Sequence, residues 1–134
     1  MVMSMNPDIS YQFSTPICKF ELPGYGAKQE ELVNHIKKLR RSTKGIQSSN
    51  YDGWHSERNL HQDGASVVQW LVRRVNMAAI KAIQELNNTT EGVDVRLREM
   101  WANVNGKGNW NMPHIHAVKW SGVCLLYTSD AADD

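Results

Sequence analysis

The sequence predicts an α+β protein, mainly β with helices at its N-terminal end, and three observations carry that reading. Residues 28–41 and 66–86 repeat their apolar side chains every three or four positions, the spacing of amphipathic helices. From Val93 to Asn105 the period shortens to two, the spacing of a half-buried strand. Helical patterns come first and strand patterns later, the order of an α+β chain or of a β-barrel carrying N-terminal helices.

Composition bounds the rest. At 134 residues, 41% hydrophobic and 22% charged, the chain has the material for one domain with a real core. A formal net charge of +1 offers no single-sign field for nucleic acid or lipid. Every apolar stretch is broken by Gln, Arg, Lys or Asn well short of the roughly 20 residues of a membrane span. The opening "MVMSMNPDIS" has no basic region followed by an apolar run, so no secretory signal is expected there. Two cysteines, Cys18 and Cys124, make no disulfide framework, and a reducing, cytoplasmic setting is the expectation.

The elements follow in order. In "FSTPICKFELPGYG" (Phe13 to Gly26), Pro16 and Pro23 resist helix. Ile17, Cys18, Phe20 and Leu22 suit a short strand ended by Gly24 and Gly26. "KQEELVNHIKKLRR" places Leu32, Val33, Ile36 and Leu39 on one helical face. Glu30 and Glu31 stand early and Lys37, Lys38, Arg40 and Arg41 late, which matches the helix dipole. The polar run Ser42 to Ser66 has almost no periodicity, and a run that long is either a functional loop or holds elements without a pattern. Ser66 is placed to cap a helix whose Val67, Val68, Leu71, Val75, Ala78, Ala79, Ala82 and Leu86 share one face, a face suited to packing on a sheet. In the following strand Val93, Val95, Leu97 and Trp101 face one way and Asp94, Arg96 and Arg98 the other. Gly106 and Gly108 make a turn, and "HIHAVKWSGV" resumes as strand.

On that last strand His114 and His116 are two residues apart and face the same way, with Cα atoms roughly 6.5 Å apart. Imidazoles so placed can converge on one ion at about 2.0 to 2.1 Å each. A lone His-x-His is also what an ordinary half-exposed strand can carry, and two ligands are fewer than the three or four a metal site uses. The spacing alone leaves both assignments open.

The surroundings add a resemblance. "MWANVNGKGNWNMPHIH", followed by "SGV", resembles a family of iron(II)- and 2-oxoglutarate-dependent oxygenases. Its pattern runs Trp, Asn-Val, glycine turn, Asn and His-x-His before Ser-Gly-Val. "SSNYDGWHSERNL" is similar to the same family's Ser-Asn-x-x-Gly-Trp-x-Ser segment, and "FSTPI" to its opening Phe-x-Thr-Pro. The three segments stand in the family's order. The resemblance implies a double-stranded β-helix, the jelly-roll or cupin-like barrel. It also implies Fe(II) held by three protein ligands, with positions left for 2-oxoglutarate and dioxygen. On this mapping His114 is the first ligand, and His116 stands where most relatives carry Asp or Glu. His116 then either binds the ion itself or donates a hydrogen bond to another ligand. The third ligand and the basic residue that pairs with 2-oxoglutarate are expected beyond Val123.

The segment "CLLYTSDAADD", Cys124 to Asp134, resembles a translated sequencing adapter. Residues 1–123 are accordingly expected to be the N-terminal part of such an oxygenase domain, and 124–134 not native. The implied barrel is then incomplete and this chain catalytically inactive. Asn103, Asn105, Asn111, Trp101 and Trp54 are candidates for the cofactor or substrate pocket, although turn formation explains the asparagines next to glycine, and barrel core explains at least some of the tryptophans. Trp54, His55 and Ser56 could cover the substrate mouth, or Gly53 and Trp54 could simply form a turn. His35 and His61 read as surface residues. Lys119 and Arg98 could meet an anionic substrate without any spacing argument. The substrate, small or macromolecular, is unspecified. A cupin-like protein that binds metal without oxygen chemistry and a jelly-roll binding module both remain compatible.

Overall fold

The computed structural model describes residues 7–12, 15–89 and 91–126. Its element order is β1 (Asp8–Gln12), β2 (Thr15–Lys19), α1 (Tyr25–Ser42), β3 (Asn50–Tyr51), β4 (Trp54–His55), a 3-10 turn (Leu60–Gln62), α2 (Ser66–Asn87), β5 (Asn103–Val104) and β6 (Trp110–Asn111). Strands pair antiparallel in three two-stranded sheets, β1 with β2, β3 with β6 and β4 with β5. The fold is thus mixed α+β, and no closed barrel is formed among the described residues. Helices of 18 and 22 residues outweigh strands of two to five, so the mainly β balance expected from the sequence is not reached.

The chain enters α1 through Gly24, whose φ of 80° is a left-handed conformation that glycine adopts without a Cβ penalty. The helix starts at Tyr25, ahead of the expected Lys28, and Gly26 lies in its first turn instead of ending a strand. Glu30 and Glu31 fall in the second turn, while Arg40 and Arg41 occupy the last, so only the C-terminal end meets the dipole as expected. Leu32, Val33 and Ile36 are buried, as their spacing requires.

Ser66 is the first helical residue of α2 and makes no cap hydrogen bond. The entry is held instead by Asp63, whose Oδ1 accepts from the Ala65 amide at 2.8 Å. At the other end Asn88 adopts φ 48°. The Thr89 amide donates to Gln84 O at 3.0 Å and the Asn88 amide to Glu85 O at 3.3 Å, which closes the helix in a Schellman motif. The apolar face of α2 packs on α1 and the 3-10 turn, with Trp54 of β4 in the same cluster, and not on a broad sheet. Leu32, Ile36, Trp54, Leu60, Val67, Val68 and Leu71 form this core, and Leu39, Met100, Ala102 and Val104 pack against it.

The polar run 42–66 holds elements without a hydrophobic period. It lies against residues 100–112 along much of its length. Asn50 pairs with Asn111, Trp54 with Val104 and His55 with Asn103. The Ser56 amide donates to Ala102 O at 2.9 Å, and the Leu60 amide to Met100 O at 3.0 Å. The extra residues between β5 and β6 are taken up by the turn around Gly108, φ 81°. Two expected strands are corrected. Residues 93–99 keep the alternation, with Val93, Val95 and Leu97 half-buried and Asp94, Arg96 and Arg98 exposed, but they have no ladder. Residues 114–123 are exposed and not strand. In both segments no partner strand runs alongside among the described residues, and a strand exists only where a neighbour accepts and donates its backbone hydrogen bonds.

Candidate metal-binding site

Period-two geometry alone does not assemble this site, because His114 and His116 lie past the end of β6. Their rings nevertheless meet, with centroids 4.7 Å apart and planes at 73°. Two imidazoles bound at 90° to one ion, each centroid about 3.2 Å from it, would stand about 4.5 Å apart, on the metal-to-nitrogen distance of about 2.1 Å. The observed separation is close to that of two adjacent coordination positions and is also that of an edge-to-face ring pair. His114 Nδ1 lies 2.7 Å from Met112 O. A carbonyl only accepts, so Nδ1 is the donor, and in the neutral ring Nε2 is then the nitrogen with the lone pair a metal needs. A backbone partner of this kind is the usual way a ligating histidine is oriented.

Trp101 lies against His116. Its ring stacks on His116 at 5.7 Å with planes at 27°, and on His55 at 5.5 Å with planes at 15°. The β4–β5 register explains the second contact. His55 lies opposite Asn103, and Trp101 is the residue two places along on the same side, the diagonal neighbour within reach of an aromatic ring. His55 is only 3% exposed, and its Nδ1–H donates to Ser56 O at 2.6 Å. It is fixed within the body of the protein and does not cover an opening. The Arg58 guanidinium lies 6.0 Å over Trp101 and also reaches Ser48 Oγ at 3.2 Å and Glu99 at 3.8 Å. Neither Arg58 nor the bracing role of His55 was legible in the sequence, because both depend on which segments pair.

The other candidates separate. Trp54 is buried in the core, where its indole N–H donates to Thr43 O at 3.2 Å. It walls a depression of about 390 Å³ with Leu39, Leu60 and Asp63, to which neither His114 nor His116 contributes. Asn103 is exposed on β5. Asn105 Nδ2 donates to Asn111 Oδ1 at 2.9 Å and Asn111 Nδ2 to Ser49 Oγ at 3.3 Å, so these two brace the turn between β5 and β6. Asn109 accepts from the Gly106 amide at 2.8 Å, as a turn residue does. Trp110 packs on Tyr51 at 5.6 Å, and Trp120, Lys119 and Arg98 are exposed.

His35 and His61 are not surface residues. Both are half-buried. His35 Nε2 lies 2.8 Å from Asp63 Oδ2, and His61 Nδ1 is buried without a hydrogen-bond partner. Burial pushes the Asp63 carboxyl up, but the Ala65 amide and the hydrogen bond and charge of His35 outweigh it, leaving the pKa below the usual value. Cys18 and Cys124 are free, with burial raising both thiols.

No group of three or more His, Cys, Asp or Glu able to hold a metal occurs among the described residues. The two histidines are a pair of adjacent rings, fewer than the three or four protein ligands of a complete metal site. No helix among the described residues is long and apolar enough to cross a membrane. Comparison with known protein families, with curated proteins and with solved structures returns no match to this chain.

Proposed function

We propose that the chain carries the first half of the metal site of a 2-oxoglutarate- and Fe(II)-dependent dioxygenase on an incomplete double-stranded β-helix, with His114 and His116 as ligands. The observation that carries this reading is the His114–His116 ring pair at 4.7 Å, with His114 Nδ1 tied to Met112 O and Nε2 left for an ion. The resemblance of "MWANVNGKGNWNMPHIH" and "SSNYDGWHSERNL" to that family gives the pair its context. These two family-like segments also lie side by side in the fold, through β3 with β6 and β4 with β5.

Bound iron, 2-oxoglutarate and dioxygen would supply oxidative decarboxylation to succinate and carbon dioxide coupled to oxidation of the substrate. The chain's own contribution is to bind and orient. His114 presents Nε2. His116 adds a second neutral donor where a carboxylate would have cancelled one positive charge, so the balance falls on the dianionic co-substrate. Trp101 stacks on the His116 ring. Asn105 and Asn111 hold the turn that leads into "MPHIH", and Asn103 and Trp54 contribute to the β5–β4 pair beside it. This reading further requires a third ligand and a basic partner for 2-oxoglutarate.

The test is anaerobic addition of Fe(II) and 2-oxoglutarate to the protein read through past Val123 in its uncut frame. Weak visible charge-transfer absorption that disappears in His114→Ala is expected. Metal binding without that absorption would overturn the oxygenase reading in favour of a non-oxidative cupin-like protein. No metal binding at all would leave a jelly-roll binding module. The 134-residue chain itself is expected to form no succinate above the metal-only background.

A further inference from the structure

We propose that Trp101 is the positioning residue of this metal site: its indole, stacked on the buried His55, sets the orientation of the His116 imidazole. The inference rests on the metal-site reading above and goes beyond it, because nothing in a His-x-His motif says what holds the second ring.

His114 and His116 are held in different ways. His114 has a hydrogen bond of its own to Met112 O at 2.7 Å. His116 has ring contacts, with His114 at 4.7 Å and with Trp101 at 5.7 Å, and it sits in an exposed segment without a strand partner. An exposed imidazole free to rotate about both side-chain bonds loses that freedom when it binds an ion, and a ring already held in place loses less of it. Trp101 is suited to hold it. It is half-buried, adjoins the backbone bonds that join Met100 and Ala102 to Arg58 and Ser56, and lies nearly parallel to both His55 and His116. His55 is in turn locked by burial and by its bond to Ser56 O. Rigidity therefore passes from the β4–β5 pair through two rings to the ligand.

The experiment titrates the 134-residue chain with Co(II) alone up to millimolar concentration, where two neighbouring imidazoles suffice for weak chelation, following affinity by calorimetry and the hyperfine-shifted histidine ring protons by NMR. Wild type is expected to show two shifted rings, both lost in His114→Ala. In Trp101→Leu the affinity falls by about tenfold or more and the His116 signals lose their shift or broaden, while His114 remains shifted. Trp101→Phe, which keeps a flat ring, restores both. In metal-free wild type the Trp101 ring current moves the His116 ring protons upfield, a measurement that needs no variant to fold. Wild type that binds no Co(II), or binds it equally well as His114→Ala, defeats the metal-site reading and this inference with it. His114-dependent binding that is unchanged in Trp101→Leu defeats the inference alone, as does a His116 ring without an upfield shift.

Discussion

At the scale of single residues, close approach and backbone conformation explain positions that carry no chemistry. A Cβ on Gly53 would run into the Asn105 side-chain oxygen, and one on Gly45, at φ 68°, would strike the His55 carbonyl and the Trp54 ring. Both glycines therefore sit against the residues that set the 48–60 segment beside 100–112. Gly53→Ala is expected to destabilise the protein by about 1–3 kcal/mol, the range for overpacking. Gly64→Ala, where nothing lies within 4 Å, should be neutral. Urea denaturation of the two variants checks the contrast. Asn105→Ala combined with Gly53→Ala should recover part of the loss, since the clash partner is then gone.

Among elements, the junction of α1, the 3-10 turn and α2 is governed by Asp63. Its carboxylate accepts from the Ala65 amide at the entry to α2 and from His35 on α1. The folded pKa is lowered, so this stabilisation is present above the usual carboxylate value and disappears as pH falls through the folded one. Asp63→Asn should cost on the order of 1 kcal/mol at pH 7, and the gap to wild type should close below about pH 4. Thermal melts of both proteins from pH 7 to pH 3 measure it. A gap still undiminished at pH 3 would contradict the assignment. The sequence pointed to Ser66 as the cap of α2, because capping preferences identify residue types near a helix start and not which one has its oxygen in reach. The faces of both helices were legible, since burying one apolar stripe is enough to set them.

For the whole molecule, the packed part and the open part behave differently. Leu32 and Val68 are fully buried at the α1–α2 contact, whereas Ile115 is 92% and Val123 86% exposed in the segment after β6. Leu32→Ala should cost about 2–5 kcal/mol, as truncation in a packed core does. Ile115→Ser should leave the melting temperature unchanged and reduce light scattering at high concentration, because it removes exposed apolar surface that contributes nothing to the core. Equal destabilisation by both substitutions would mean that Ile115 is packed in solution.

What the sequence determined by itself is what depends on neighbours along the chain. Those are the two helices and their buried stripes, the inward and outward alternation of residues 93–98, and the glycine turn at 106–108. Tertiary structure decided what depends on partners distant in the chain. It assembled β3 and β4 within a polar run by setting them against 103–111, and it withheld strand from 114–123. It also turned Trp54 into core and brought His55 and Trp101 behind His116. A backbone ladder and a ring stack each need a second segment at a set register, and no local period in 134 residues specifies which segment that is.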